Sequence, residues 1–339
     1  MNRRELLACG ASAAALVYGG GFAAAADDPW LALPGKSGPG SGKKVVLISG
    51  DQEYRSEETM PQLARILSER HGFDCTVLFT VDPSTGTVNP TINNIPGLEK
   101  LRDADLLILF TRMLDLPADQ MKPIAEYVES GRPIVALRTS THAFSTTAGD
   151  YARYHWQSKE PGWEGGFGRR VLGETWISHH GEHGKEGTRG VVAPGQELHP
   201  IVRGIEPGAI FGTTDVYGVR LPLPESTPVV MGQVTATLEP DSAPVTAKNA
   251  PMMPVAWTRS YRGEAGKPAR IFVTTMGASQ DFAYEGTRRM IVNGAYWALG
   301  LEDRLPAKSD VRLVGRFEPT PFRFKKAEEW KPGRKPSEL

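Results

Sequence analysis

Four short apolar segments, separated by amphipathic stretches and turns, constrain the fold most strongly. They are KVVLISG (44–50), CTVLFT (75–80), DLLILF (105–110) and PIVALRT (133–139). Continuous apolar runs of this length are typical of strands buried on both faces of a parallel sheet. Because helical patterns lie between them, the sequence alternates strand and helix. We therefore expect an α/β three-layer sandwich around a mostly parallel central sheet.

Helices are expected after the first and the third of these strands. Thr59 and Gln62 have the spacing of a capping box, so the first helix is expected to begin there and to end at Gly72. A second helix is expected over residues 117–130, with Gly131 ending it, because glycine readily adopts the left-handed conformation common after helices. Short connections between such elements are typical of doubly wound sheets.

Regular structure is also predicted in the last third of the chain. MPVAWTRSY (253–261) and ARIFVTTMG (269–277) have the composition of two strands, joined as a hairpin by the Gly-containing stretch between them. A closing helix is predicted over residues 284–299, with Gly300 as its cap. The middle section, 145–250, is rich in loop-forming residues.

The N-terminus has the regions of an export signal. Arg3 and Arg4 precede an apolar run of small residues that ends at Ala26. The arginine pair resembles a twin-arginine signal, which directs folded proteins out of the cytoplasm. A membrane anchor is the alternative, but the run is short and Gly-rich for a spanning helix. We expect cleavage, a periplasmic or extracellular location, and no stable membrane insertion afterwards.

Four segments are expected along the chain. They are an export signal (1–26), a flexible linker (27–43), one α/β domain (44–300) and a Pro-rich, basic C-terminal extension (301–339). The linker is inferred from its Gly, Pro and Ser content. The extension is expected to wrap the surface of the domain or to remain loose.

The charge balance narrows the class of partner. Lys plus Arg and Asp plus Glu both number 39, so the formal net charge is zero. This balance disfavours nucleic acid as a partner and favours a small neutral substrate. The sequence leaves the oligomeric state open.

Polar residues cluster directly after the predicted strands. In an open parallel sheet, ligands bind outside the carboxyl ends of the strands. The segments GDQEYRSE, TRMLD and RTSTHAF should meet at that edge. They supply the candidate site residues Asp51, Gln52, Glu53, Tyr54, Arg112, Arg138, Thr139 and His142.

Three of these residues have both a functional and a structural interpretation. Arg138 follows a buried strand, so its guanidinium needs either an internal carboxylate or a ligand oxygen as acceptor. His142 is expected to face the ligand cleft, where it could transfer protons. Glu53 is a candidate catalytic carboxylate, although loop carboxylates are usually solvated.

The stretch WISHHGEHG (176–184) holds three of the seven histidines. In an extended segment His179 and His180 point to opposite sides. His180 and His183 are therefore expected to converge from a turn. Together with His142 or a carboxylate, they could bind a zinc-like divalent metal. His179, His180 and His183 are the candidate ligands, and a solvated loop or metal-free acid–base chemistry are the alternatives.

An aromatic loop suggests contact with a sugar. Residues 161–170, PGWEGGFGRR, combine Trp163 with flexible glycines. Aromatic faces on adaptable loops suit sugar rings, although packing of the loop onto the domain is the alternative. The segment lacks the glycine patterns of phosphate-binding loops.

Several motifs together resemble the ThuA-like family, which is named for trehalose utilisation. They are GRPIVALRTSTHAF, RRVLGETWISHH, LHPIVRGI, TTDVYGV and the long segment from MPVAW to TTMG. The resemblance runs from about Lys44 to Leu299. It implies a flavodoxin-like fold, similar to class I glutamine amidotransferases, and a role in carbohydrate metabolism. Asp215 of TTDVYGV becomes a candidate for substrate binding, and His179 best matches a recurring histidine of the family.

Departures from the amidotransferase and family patterns argue against glutamine hydrolysis. Arg138 occupies the place of the nucleophilic cysteine, and Ala278 replaces a histidine of the family. A covalent thioester with glutamine is therefore not expected. His142, four positions beyond Arg138, could take over a histidine role.

The resemblance implies chemistry on a 3-keto-glycoside. A ketone at C3 acidifies the C2 hydrogen, so a histidine base could remove it and the glycosidic oxygen could leave. We expect His142 or His180 as the base, and Arg138 or a bound metal as the stabiliser of the enolate. A non-catalytic sugar-binding protein and a metal-dependent hydrolase are the alternatives.

Overall fold

The computed structural model describes residues 28–339. The predicted export signal, 1–26, lies outside the described residues. Within 28–339, helices are too short or too polar to cross a membrane. A sheet of ten strands organises the described chain.

The strands alternate with two α-helices in the first half of the chain, and a third α-helix follows the strands of the second half. In chain order the strands are β1 (Trp30–Leu33), β2 (Lys44–Gly50), β3 (Asp74–Phe79), β4 (Val81–Asp82), β5 (Thr87–Val88), β6 (Leu106–Thr111), β7 (Ile134–Leu137), β8 (Gly187–Val192), β9 (Phe211–Gly212), β10 (Ser226–Thr235), β11 (Met253–Arg262) and β12 (Pro268–Thr274). The helices are α1 (Ser56–His71), α2 (Ala118–Glu129) and α3 (Glu285–Ala298). The four strands predicted in the first half and the closing helix are thereby confirmed, with ends shifted by up to two residues.

The central part of the sheet is parallel. Its order is β1-β3-β2-β6-β7-β12-β11-β10-β8-β9, and the five strands from β3 to β12 run parallel. Chain order reverses at β2, between β3 and β6, which is where ligands bind in such sheets. The remaining strands pair antiparallel, including the predicted β11–β12 hairpin.

Helices cover both faces of the sheet. The apolar side chains of α1 and α3 share one core with alternate residues of the strands, such as Leu47 and Phe272. Those of α2 share a second core with the intervening residues, such as Ile48 and Ile271. Successive strand residues thus point into opposite layers. The predicted three-layer α/β sandwich is confirmed.

The start of the first helix differs from the prediction. Helix α1 begins at Ser56, after Arg55, which has a left-handed backbone (φ 62°). The Thr59 hydroxyl donates to the carbonyl of Gly277 instead of capping the helix. The capping-box interpretation was therefore wrong, because a long-range partner takes the hydroxyl. Gly72 ends the helix as predicted, with φ 78°.

The predicted flexible linker, 27–43, was also wrong. Residues Trp30–Leu33 form β1, which pairs antiparallel with β3 and covers its outer edge. The amide of Gly35 then donates to Asp74 Oδ1 at 2.8 Å. Gly- and Pro-rich composition hid this short apolar strand. The C-terminal extension, 301–339, wraps the surface, and its Trp330 is buried.

Candidate active site

A cavity of about 280 Å³ lies at the carboxyl ends of the parallel strands. The loops after β2, β6 and β7 form one side of it, and the segment with the clustered histidines forms another. Its lining residues are Glu53, Tyr54, Arg112, Met113, His142, Trp176, His179, His183, Tyr217 and Phe324. The three strand-end segments therefore meet at one edge, as the sequence predicts.

Protein groups hold the two terminal nitrogens of Arg138, whereas its buried Nε has no hydrogen-bond partner. It follows β7 with a left-handed backbone (φ 43°), and 1% of its surface is exposed. Its guanidinium donates to the carbonyls of Asp215 and Thr275, each at 2.8 Å, and pairs with Asp215 Oδ1 at 2.9 Å. The rings of Tyr54 and Tyr217 pack on its two sides, at 4.5 and 3.9 Å. Of the two acceptors expected for Arg138, the internal carboxylate is the one present, so the guanidinium does not face a ligand.

Asp51 and its neighbours build the turn after β2. Asp51 Oδ1 accepts from the amides of Glu53 and Tyr54, both at 2.6 Å, and Oδ2 accepts from the Thr139 hydroxyl. Burial raises the pKa of Asp51. Gln52 does not line the cavity either. Asp51, Gln52 and Thr139 therefore do not line the cavity, and the turn itself uses the carboxylate of Asp51 and the hydroxyl of Thr139.

The converging histidines are His179 and His183, and their rings lie 4.8 Å apart. The prediction that His180 converges with His183 was wrong. His180 turns away, and its Nε2 lies 2.6 Å from the carbonyl of Lys248. The amide of His180 donates to the carbonyl of Val216, and this bond holds the segment in an extended conformation. Because side chains of an extended segment point alternately to opposite sides, His180 points away from His179. The following turn returns His183 to the side of His179.

Asp215 joins the two histidines. Its Oδ2 lies 2.6 Å from His179 Nδ1, and its Oδ1 lies 3.2 Å from His183 Nδ1. Burial acts to raise the pKa of Asp215, but the Arg138 guanidinium and the histidine hydrogen bonds outweigh it and hold the pKa below the usual range. Asp215 is therefore a carboxylate, as its proposed role in ligand binding requires.

Glu53 extends this group toward the cavity. Its Oε1 lies 3.4 Å from His183 Nε2, and its Oε2 lies 3.2 Å from Arg112 Nε. Hydrogen bonds to Asp215 and Glu53 raise the pKa of His183 to about 9. The positive charges of His183 and Arg112 thus face the negative charges of Glu53 and Asp215, and a metal ion would have to displace the proton of His183 in order to bind it.

The donor atoms of His179, His183 and Asp215 fit a divalent metal. Within residues 28–339, these three residues form a cluster of possible metal ligands. One ring nitrogen of each histidine and one carboxylate oxygen of Asp215 all lie within 4.8 Å of one another. Some point therefore lies within about 2.8 Å of all three atoms, compared with about 2.0–2.2 Å for ligands of bound zinc. Two imidazoles and one carboxylate, with an open side, match the donor set of catalytic zinc sites.

His142 lies in an aromatic wall of the cavity. Its ring is 5.8 Å from that of Trp176 and 6.1 Å from that of Tyr217. Burial, reinforced by the charges of Arg112 and Arg138, lowers the pKa of His142 well below its usual value. The imidazole is therefore neutral and can accept a proton.

The aromatic residue predicted to contact a sugar lies elsewhere. Trp163 packs on Tyr154, with ring centres 4.9 Å apart, and on the guanidinium of Arg153 at 4.7 Å. This is the loop-packing alternative. Trp176 and Tyr217 line the cavity instead, and both belong to the motifs of the family resemblance. Met113 and Phe324 also line the cavity, although the sequence did not predict either of them as a site residue. No motif or strand end in the sequence indicated Phe324.

The fold and the cavity define the class. A parallel α/β sheet with polar groups at its carboxyl edge is typical of flavodoxin-like proteins that bind small molecules there. The family model described as "Trehalose utilisation", ThuA, matches residues 44–298, and the chain belongs to this family. The resemblance inferred from the motifs is thereby confirmed.

Solved structures similar to this chain include two ThuA-like proteins. One, from Parabacteroides merdae, is 16% identical and has a TM-score of 0.48, covering 84% of this chain and 97% of its own. The other, from Bacteroides uniformis, is 13% identical and has a TM-score of 0.47, covering 78% and 94%. The sequence has no match among curated proteins.

Proposed function

We propose that this protein is a metal-dependent lyase that cleaves 3-keto-glycosides after export from the cytoplasm. The observation that carries the proposal is the group formed by His179, His183 and Asp215, which faces the same cavity as His142. Membership of a family described by trehalose utilisation supports a carbohydrate substrate. The arginine pair and apolar run at the N-terminus support export.

His142 is assigned as the base. Its neutral imidazole takes the C2 hydrogen as a proton, and the electron pair of the C–H bond forms the enolate with the C3 ketone. When the enolate returns to the ketone, a C1–C2 double bond forms and the C1–oxygen bond breaks. The leaving oxygen takes a proton, which regenerates the neutral imidazole. The products are a 3-keto-glycal and the free alcohol, so atoms and charge balance.

The remaining polar residues support the developing negative charge. A divalent cation bound by His179, His183 and Asp215 would supply Lewis-acid stabilisation of the enolate oxygen. Arg138 holds Asp215 as a charged carboxylate, which is a positioning role rather than the direct enolate contact expected from the sequence. Arg112 holds Glu53 beside His183.

The same donor set supports hydrolysis through metal-activated water as the second candidate. The two reactions differ in product, because hydrolysis gives a 3-keto-sugar and elimination gives an unsaturated 3-keto-glycal. A passive sugar-binding protein would give neither. The products therefore separate all three functions.

The test is an assay of purified protein with a 3-keto-glucoside that carries a chromogenic aglycone. We expect aglycone release, a new absorbance from the conjugated glycal, and loss of both on chelation. His142→Gln should lower turnover by about 100-fold or more while the bound metal remains. His183→Ala should lose the metal and the turnover. His180→Gln is the matched control, because its ring lies outside the cavity.

Two results would overturn the proposal. Release of aglycone with a saturated 3-keto-sugar would replace the lyase by the hydrolase. Binding without turnover at any metal content would leave only the passive sugar-binding protein. Full activity of His142→Gln would remove His142 from the role of base.

A further inference from the structure

The C-terminal extension forms part of the candidate active site. We define the strap as residues 320–330, which lie outside the family match at 44–298. It crosses the turn between β2 and α1 and carries Phe324 into the lining of the cavity. A site built only from the family domain would therefore lack one wall.

Backbone contacts fix the strap on this turn. The amide of Thr320 donates to Glu58 Oε2 at 2.8 Å, and the amide of Arg323 donates to the carbonyl of Glu53 at 2.9 Å. The buried guanidinium of Arg55 donates in turn to the carbonyl of Arg323. These bonds tie the strap to the same turn that presents Glu53 to the cavity.

Phe324 of the strap lines the cavity, and Phe322 packs on two of the residues that line it. Phe322 stacks on Tyr54 with ring centres 5.2 Å apart and lies 5.0 Å from the ring of His183. Phe324 lies over the guanidinium of Arg112 at 4.9 Å, yet 53% of its surface remains exposed. The guanidinium of Arg112 thus covers one face of the exposed Phe324 ring and holds the ring in place. Its remaining surface is open to a ligand.

The chemistry of the lining favours an uncharged ring over an anionic one. Arg112 is already paired with Glu53, and His183 with Asp215 and Glu53. Among the described side chains that line the cavity, these pairs leave no free cationic group to attract a phosphate or a carboxylate. Aromatic rings, in contrast, pack on the apolar C–H faces of sugars, while carboxylates and guanidinium groups bond to the hydroxyls.

We propose that Phe324, together with Trp176 from the histidine-containing segment, forms an aromatic subsite that binds a neutral sugar ring. The subsite makes Phe324 a specificity-determining residue supplied from outside the family domain. This inference rests on the proposed function for the identity of the ligand, but it concerns binding rather than the chemical step. It can therefore be tested by binding alone.

The experiment measures the affinity for a 3-keto-glucoside and its turnover in the same preparations of the full chain. Phe324→Ala should weaken binding about tenfold, the value of one aromatic contact of about 1.4 kcal/mol. Bound metal should stay within about twofold, since Phe324 does not touch the metal-binding group, whereas kcat/KM should fall together with the affinity. Phe324→Trp should restore binding. Leu198→Ala, at a residue that is 96% exposed, is the control for loss of a surface hydrophobe.

The outcomes separate the two proposals. Unchanged affinity in Phe324→Ala, with a wild type that binds and turns over the glycoside, overturns the subsite and leaves the lyase in place. Weaker affinity in the variant, with a wild type that binds without turnover, overturns the lyase and supports the subsite. A wild type that does not bind the glycoside overturns both.

Discussion

Two groups of polar residues at the carboxyl edge of the sheet lie side by side but differ in what they can still bind. We call the floor Asp51, Arg138 and Thr139, which are buried and whose side chains form hydrogen bonds within the protein. We call the rim Glu53, its partner Arg112 and the pair His179 and His183; the side chains of the two histidines are 38% and 37% exposed. Both groups follow strands or lie close to their ends. The difference teaches that polarity at a strand end indicates a site only where donors or acceptors remain after the turn is built.

The largest expected effect tests whether the floor is structural. Arg138→Met removes the guanidinium partner of the buried Asp215 carboxylate and leaves it only the two histidines, so the free energy of unfolding should fall by about 3–5 kcal/mol. Chemical denaturation measures this loss. Arg112→Met is the matched control on the rim, where the side chain is 19% exposed and about 1 kcal/mol or less should be lost. Similar losses in the two variants would erase the distinction between floor and rim.

An intermediate effect comes from the buried His142. Because its pKa is lowered in the folded protein, the unfolded chain takes up the proton first as the pH falls below about 6.5. Stability from the neutral imidazole is therefore present above this pH and is lost below it, by up to about 2 kcal/mol between pH 6.5 and 5. His142→Gln should flatten this part of the profile in urea titrations. His180→Gln should keep the wild-type slope, and an equal slope in both variants would contradict the assignment.

The smallest effect is expected at Trp163, which sharpens the comparison between packed and cavity-lining aromatics. Trp163→Ala should leave the affinity for a 3-keto-glucoside within about twofold, because its ring contacts Tyr154 and Arg153 instead of the cavity. Trp176→Ala should weaken the affinity about tenfold. Isothermal titration calorimetry of both variants with the 3-keto-glucoside measures the two affinities. Greater weakening in Trp163→Ala than in Trp176→Ala would show that the aromatic contact with the sugar had been misplaced.

Much of the fold follows from local patterns. Apolar runs identify β2, β3, β6 and β7, because strands buried on both faces need no polar side. β1 escaped detection, since its four residues lie in a Gly- and Pro-rich segment and gain their stability from pairing with β3. Thr59 escaped as well, because its partner Gly277 is far away in the chain.

The candidate site was predictable to the extent that it follows strand ends. Glu53, Tyr54, Arg112 and His142 were found because the carboxyl ends of parallel strands share one edge. The pairing of His179 with His183 required knowing the turn between them. The position of Phe324 required knowing the contact of Arg323 with Arg55, in the turn before α1, which lies more than 260 residues earlier in the chain. Periodicity carries no information about such distant pairs.

The left-handed backbones at Arg55 and Arg138 have a consequence for how the cavity meets its ligand. Such conformations cost side-chain-bearing residues about 1 kcal/mol or more and persist only where their surroundings enforce them. The two arginines are clamped by Arg323, Asp215 and Thr275. This edge of the sheet is thus a stiff frame whose shape is set during folding. The loops at this edge should therefore lose little conformational entropy when a ligand binds. The enthalpy of binding should come from contacts with the ligand rather than from the ordering of loops.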